Sequence, residues 1–269
     1  MRKIFKTVLI FLFCVLFLQS ILINIYKSLI GSTELCREET NYQQVTSGNF
    51  MEHKRSWTNV RSTSGYCMDF KVLEQNMNNS YQFRESINPI KSDHYYEYWG
   101  DIYRSLHELN QNDLKSIQDS LNLLKISKEM SRSEFAYLIV SFVQDIPYSY
   151  IKSESCDDVK NGEPCKGDAK FGILSPIEFL YTLHGDCDTR TVLLYSLLSN
   201  FGYNPLILVS HEYLHSMLAL EIPSSGEHIM HNGRKFFFWE TTNTGWEPGM
   251  IAPDMKNKKY WNIALDYEY

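Results

Sequence analysis

The stretch Gly185-Asp186-Cys187-Asp188-Thr189-Arg190 decides the fold, because it places a cysteine at the start of a helix. Asp186 is a good N-cap residue, and the apolar run from Val192 to Leu198 continues the helix. At the first helical position the N–H groups are unpaired and the helix dipole is positive, so an anion is stabilised there. This position predicts a lowered pKa for the Cys187 thiol and a nucleophilic thiolate. The alternative is a small residue that only packs at a helix start.

The N-terminus predicts export from the cytoplasm. Arg2, Lys3 and Lys6 precede an apolar stretch from Val8 to Ile25, a pattern typical of a secretion signal or a membrane-spanning helix. No convincing cleavage site of small residues follows. We therefore expect an uncleaved signal anchor over residues 1–32, with the rest of the chain in the bacterial periplasm or at the cell surface. A cleaved signal is the alternative.

The cysteines support this compartment, since disulfide bonds persist in oxidising environments. Five cysteines lie outside the apolar stretch, so four can pair and one is left over. Cys156 and Cys165 flank a short polar loop and are expected to form one disulfide bond. Cys36 and Cys67 form the second by elimination, which leaves Cys187 as the free thiol.

Composition limits the classes of partner. The chain has 26 basic and 32 acidic residues, for a formal net charge of −6, and no basic run. Nucleic acid is therefore not expected as a partner. The length beyond the anchor suffices for a sizeable core, which we divide into a mainly helical lead-in over residues 33–128 and a core domain over residues 129–269.

The lead-in contains two segments with helical spacing of apolar residues, residues 93–108 and 111–126. The part before them is polar and weakly periodic, and it predicts a loop over residues 76–80. In the core domain, a helix is expected from Ser133 to a point before Pro147. Ser175 begins a capping box and a short helix that ends near the cysteine.

After Gly202 the apolar spacing changes from a helical to a strand period. Buried strands are predicted over residues 206–209, 216–222 and 235–242. His215 then opens one strand and Glu240 lies near the end of the next. Neighbouring antiparallel strands can bring such side chains within hydrogen-bonding reach of each other and of a helix N-terminus.

These motifs resemble the transglutaminase-like branch of the papain-like cysteine enzymes over roughly residues 133–250. The matching pieces are Gly185-Asp186-Cys187-Asp188, Leu214-His215-Ser216-Met217 and Phe238-Trp239-Glu240-Thr241-Thr242. The resemblance implies an α+β fold, with the cysteine helix packed on an antiparallel sheet and preceded by the helical region and the membrane anchor. It assigns Cys187 as nucleophile, His215 as general base and Glu240 as the carboxylate that orients the histidine. The family usually has aspartate at this third position.

A triad of this kind performs amide acyl transfer through a thioester and needs no cofactor or metal. We expect hydrolysis of a peptide or isopeptide bond in a peptide or protein substrate, in preference to protein cross-linking. The N–H of Cys187 is a natural oxyanion donor, and Gln144 and Tyr148 are candidates for the second donor. Alternatively, these two residues only form a helix end and a turn.

Two other functions compete with this hypothesis. His211-Glu212-Tyr213-Leu214-His215 matches the pattern of zinc metallopeptidases, in which a helix projects both histidines onto one metal. The preceding Pro205 and the strand-like runs on both sides favour a turn between strands instead. The third possibility is an inert transglutaminase-like module that binds a peptide or a partner in its groove.

Overall fold

The computed structural model describes residues 43–59, 65–160 and 162–267. The predicted anchor and Cys36 lie outside these residues. No helix in these described ranges is both long and apolar enough to cross a membrane. The described residues form α-helices, 3₁₀ turns and antiparallel sheets, in agreement with the predicted α+β class.

Their elements follow one another along the chain. The helices are α1 (Glu74–Ser86), α2 (Tyr95–Asn110), α3 (Lys115–Ser127), α4 (Arg132–Gln144), α5 (Pro176–Thr182) and α6 (Cys187–Asn200). The strands are β1 (Gln43–Ser47), β2 (Phe50–Trp57), β3 (Tyr66–Leu73), β4 (Tyr150–Ile151), β5 (Cys165–Lys166), β6 (Pro205–Ser210), β7 (His215–Leu220), β8 (His228–His231), β9 (Arg234–Trp239) and β10 (Asn262–Leu265).

The first part of the lead-in is a three-stranded antiparallel sheet in the order β1-β2-β3. Sequence analysis did not predict these strands. Buried and more exposed residues alternate along β2 and β3, and the buried positions of β3 are all apolar, but two of the four buried positions of β2 are polar. His53 and Arg55 are buried in β2, so the apolar pattern that marks a strand is broken there.

The loop predicted over residues 76–80 is wrong, because α1 runs through it. This helix buries polar side chains, so no apolar stripe reveals it. Ser80 donates a hydrogen bond to Ser175, and Arg84 donates through Nε and Nη2 to the Glu178 carboxylate at 2.9 and 3.0 Å. Arg84 and Glu178 are both 1% exposed, so this ion pair joins α1 to α5 inside the core.

The predicted helices 93–108 and 111–126 are confirmed as α2 and α3. The helix expected from Ser133 begins one residue earlier, with Ser131 as its cap in a capping box. The capping box at Ser175 is also confirmed, with proline in the first turn of α5. Local capping chemistry therefore sets where α4 and α5 begin.

The main sheet is antiparallel in the order β10-β6-β7-β9-β8. It contains the three predicted strands as β6, β7 and β9, and α6 packs on β6 and β7. Its side chains alternate between two apolar layers, as in a sheet covered on both faces. Ile207 and Leu218 join the large helical core, whereas Leu208 and Met217 pack in the opposite layer with Trp261.

The predicted disulfide pairing is confirmed for the pair of cysteines that both lie in the described residues. Cys156 and Cys165 form a disulfide bond across nine positions of sequence. Cys67 is also disulfide-bonded, and Cys36, its predicted partner, lies outside the described residues. Within the described part of the chain, Cys187 is the free cysteine.

Two buried histidines predict acid sensitivity of the fold. Burial lowers the pKa of His53 and of His107 to about 4. Because the unfolded chain binds these protons at a higher pH, the free energy of unfolding should decrease between about pH 6.5 and pH 4. The His107→Gln variant should lose about 2 to 3 kcal/mol less than wild type between pH 7 and pH 4.5, measured by urea denaturation.

The exposed His94 provides the control for this experiment. The His94→Gln variant should show the pH dependence of wild type. An equal loss of stability in His107→Gln and wild type would contradict the assignment.

Candidate active site

The nucleophile candidate lies at the predicted helix start. Asp186 is the N-cap of α6, and its side chain accepts a hydrogen bond from the N–H of Thr189 at 3.1 Å. Cys187 is therefore the first residue of the helix, as the capping signal indicates. It is 6% exposed, so the thiol lies just beneath the surface.

His215 and Glu240 are brought together by two paired strands. β7 pairs antiparallel with β9, and Glu240 directly follows the last residue of β9. The His215 Nε2 donates to Glu240 Oε2 at 2.9 Å. The other carboxylate oxygen accepts from the N–H groups of Thr241 and Thr242 and from the Thr242 hydroxyl. Both carboxylate oxygens are thus held, and the imidazole has a fixed partner.

Glu240 and His215 each favour the charged form of the other. Burial alone would lower the pKa of His215, but the hydrogen bond and the charge of Glu240 raise it above its ordinary value. Burial likewise opposes ionisation of Glu240, and its bonds to His215 and Thr242 lower the pKa of that carboxyl overall. This environment favours the imidazolium–carboxylate pair, as a general base that receives a proton requires.

The thiol lies beside the strand that carries the histidine. Ser216, the residue after His215, lies close to the Cys187 sulfur, and its polar groups partly offset the rise in the pKa of the thiol. Since Nε2 of His215 is bonded to Glu240, proton exchange with the thiol would use Nδ1. The fold therefore places Cys187 near the residue that follows His215.

The predicted lowering of the thiol pKa is wrong for this arrangement. Burial raises the pKa of Cys187 well above its ordinary value, and the carboxylates of Asp188 and Asp186 raise it further. The thiol also donates to Asp188 Oδ2, with a sulfur–oxygen distance of 3.7 Å. The helix dipole favours a thiolate, but the lost hydration and the adjacent carboxylate of Asp188 outweigh it, so the resting thiol is protonated. Asp186 is buried as well, and burial raises the pKa of its carboxyl to about 8.

Asp188 is fixed from the opposite side. The fully buried Tyr103 of α2 donates a hydrogen bond to Asp188 Oδ1. Burial and the charge of Asp188 raise the pKa of Tyr103, so this phenol stays protonated and remains a donor. The charge of Asp188 also contributes to the raised pKa of His215. Sequence analysis did not assign Asp188 a role.

The two oxyanion candidates have different surroundings. Gln144 Nε2 donates to the carbonyl oxygens of Glu240 at 2.7 Å and Trp246 at 3.2 Å, so both of its amide hydrogens are used in this structure. Burial raises the pKa of Tyr148, whose hydroxyl lies near the backbone of Cys187. Tyr148 is therefore close to the N–H that was predicted as an oxyanion donor, and Gln144 supports the backbone that follows Trp239.

A cavity of about 350 Å³ lies behind this backbone, with Gln144 and Trp239 in its wall. Its other walls come from α4 and from residues 244–247. Neither Cys187 nor His215 lines this cavity.

Arg190 is the residue that sequence analysis missed. Its guanidinium is fully buried and donates to four backbone carbonyls in three separate stretches of the chain. The signal was present in the sequence, since an arginine precedes the longest apolar run of α6 and one helical turn separates it from Cys187.

The residues of the possible zinc motif, 211–215, do not form the helix that a zinc metallopeptidase requires. Residues 211–214 form the turn between β6 and β7, and Ser210 pairs with His215 in the hairpin register. His211 lies against the ring of Tyr95, with centroids 4.9 Å apart. A hairpin turn does not align positions i and i+4 side by side as a helix does, so the pentad has no metallopeptidase geometry.

Comparisons with known proteins do not identify the function of this site. No known protein family matches the chain, and neither a curated protein nor a solved structure is significantly similar to it. What bears on function is the arrangement of Cys187, His215 and Glu240 and the groups that surround them.

Removing the Glu240 charge should change the titration of His215. In wild type the pKa of His215 lies above its ordinary value, whereas in Glu240→Gln the charge is lost and burial should bring it below that value. The measurement is a pH titration of the imidazole resonances by NMR.

Asp266→Asn is the matched control, because Asp266 pairs with His231 Nε2 at 2.5 Å in a second histidine–carboxylate contact. This variant should leave the His215 titration unchanged. A His215 pKa that stays raised in Glu240→Gln would contradict the pairing.

Proposed function

We propose that this protein is a transglutaminase-like cysteine enzyme that transfers the acyl group of an amide through a thioester, with peptide or isopeptide hydrolysis as its reaction. One observation carries the proposal: the His215–Glu240 hydrogen bond of 2.9 Å beside a helix that begins with Cys187. A histidine oriented by a buried carboxylate next to a free thiol is the arrangement that nucleophilic catalysis by cysteine requires.

The reaction follows from the protonation states. The thiol is protonated at rest, so His215 takes its proton as the sulfur–carbon bond forms and the carbonyl electrons move to oxygen. The N–H of Cys187, with Tyr148 beside it, stabilises that oxyanion. As the intermediate collapses, the carbon–nitrogen bond breaks and the amine leaves with the proton from His215. Water then attacks the thioester, which releases the carboxylic acid and restores the thiol.

An exported location fits this chemistry. We propose that residues 1–32 anchor the enzyme in the membrane and that its catalytic part lies outside the cytoplasm. The Cys156–Cys165 disulfide bond supports an oxidising compartment. A peptide or protein is the substrate class that suits an amide-cleaving site there.

The inert module is the second candidate, and the buried thiol favours it. Cys187 is 6% exposed and burial raises its pKa, as expected for a cysteine that only packs. The His215–Glu240 pair favours the enzyme instead, because an inert core does not require a buried histidine that is oriented by a buried carboxylate.

Acylation by 4-nitrophenyl acetate tests the proposal without knowledge of the natural substrate. Full-length protein in detergent should release 4-nitrophenolate and gain one acetyl group on Cys187, detected by intact-mass spectrometry. Cys187→Ala should abolish the modification. His215→Ala should slow it by about 100-fold or more, the usual contribution of a general base.

The Asp266→Asn variant, altered at the other histidine–carboxylate pair, should acylate at the wild-type rate. A chelator should have no effect under the thioester mechanism. Equal labelling of wild type and His215→Ala would contradict the enzyme and favour the inert module, and loss of activity with chelator would favour metal chemistry.

A further inference from the structure

The backbone around the proposed triad converges on one side chain. Arg190 Nε donates to the Gly185 carbonyl at 2.9 Å, and Nη2 donates to Ile146 at 2.5 Å. Nη1 donates to both Val143 at 2.9 Å and Thr241 at 3.2 Å. The guanidinium therefore ties together the end of α4, the loop after it, the start of α6 and the segment after β9.

Each of these carbonyls lies one or two positions from a residue of the site. Gly185 precedes the N-cap of the Cys187 helix, and Thr241 follows Glu240. Val143 precedes Gln144, and Ile146 lies between Gln144 and Tyr148. The ring of Tyr148 lies 5.5 Å from the guanidinium carbon, which adds a cation–π contact.

The positive charge of Arg190 lies near the groups that the proposed acyl transfer uses. Its side chain is fully buried, and burial lowers its pKa to about 10, so it stays charged at neutral pH. The carboxyl groups of Asp186 and Glu240 act on this charge and partly offset the effect of burial. A cation at this point offsets the carboxylates of Asp186 and Glu240 and favours negative charge on the sulfur.

From these contacts we propose that Arg190 is a positioning residue of the active site, which fixes the nucleophile helix, the Glu240 segment and the Tyr148 loop in register. This role rests on the proposed acyl transfer. It assigns a function in catalysis to a residue that does not touch the substrate, because a small displacement of reacting groups strongly reduces rate.

Arg84 offers a comparison within the same chain. It is equally buried and multiply bonded, but its partner is Glu178 in the contact between α1 and α5. Replacing Arg84 should therefore reduce stability without changing the alignment of Cys187 and His215. The two arginines separate a general loss of stability from a specific loss of positioning.

The experiment compares Arg190→Lys, Arg190→Met and Arg84→Lys in full-length protein. It measures acetylation of Cys187 by 4-nitrophenyl acetate from pH 5 to pH 10, below the melting temperature of every variant. Trimethylamine N-oxide, which stabilises compact states, is added equally to all samples so that folded molecules are compared. Circular dichroism gives the folded fraction for normalisation.

Arg190→Lys keeps the charge but cannot reach four carbonyls from one nitrogen. It should lower the acetylation rate per folded molecule by about 100-fold, with a smaller loss than Arg190→Met and an altered pH profile in both. Arg84→Lys should keep the wild-type rate and profile despite a lower melting temperature.

Two results would overturn the positioning role: a wild-type rate and pH profile in Arg190→Lys, or an equal loss of rate in Arg84→Lys. Failure of the proposed function has a different signature. In that case wild type itself acetylates no faster than His215→Ala, whatever the Arg190 variants do.

Discussion

The guanidinium of Arg190 donates to carbonyl oxygens of Gly185, Val143, Ile146 and Thr241, and the proposed active site is assembled around these bonds. A buried arginine is tolerated only when its N–H groups find acceptors, since an unpaired buried charge is strongly unfavourable. The four carbonyl groups must therefore all point toward the Arg190 guanidinium. That requirement aligns a helix start, a loop and the end of a strand that are distant in sequence.

The balance of charge around the sulfur follows from the same geometry. Burial keeps the Cys187 thiol protonated, and the charge of Asp188, which accepts from Tyr103, adds to this effect. Glu240 raises the pKa of His215 and so makes the imidazole a stronger base. The site is therefore arranged for proton transfer to histidine during attack, in preference to a preformed thiolate.

Sequence alone predicted the parts of this site that local chemistry determines. The cap at Asp186 placed Cys187 at a helix start, and the strand period placed His215 and Glu240 at neighbouring strand ends. It failed where polar groups are buried by distant partners. The buried face of α1 is polar and pairs with Glu178. Three acceptors of Arg190, at Val143, Ile146 and Thr241, lie 44 to 51 residues away from it in sequence. No local pattern encodes those contacts, nor the burial that raises the thiol pKa.

The central claim is that His215 activates the Cys187 thiol, and the pH dependence of its alkylation by iodoacetamide tests this most directly. In full-length wild type, the rate should rise as His215 loses its proton, below the pH range in which the thiol itself ionises. In His215→Ala, labelling should follow only the raised pKa of the buried thiol. Identical pH profiles in the two proteins would contradict the claim, because the histidine would then have no influence on the sulfur.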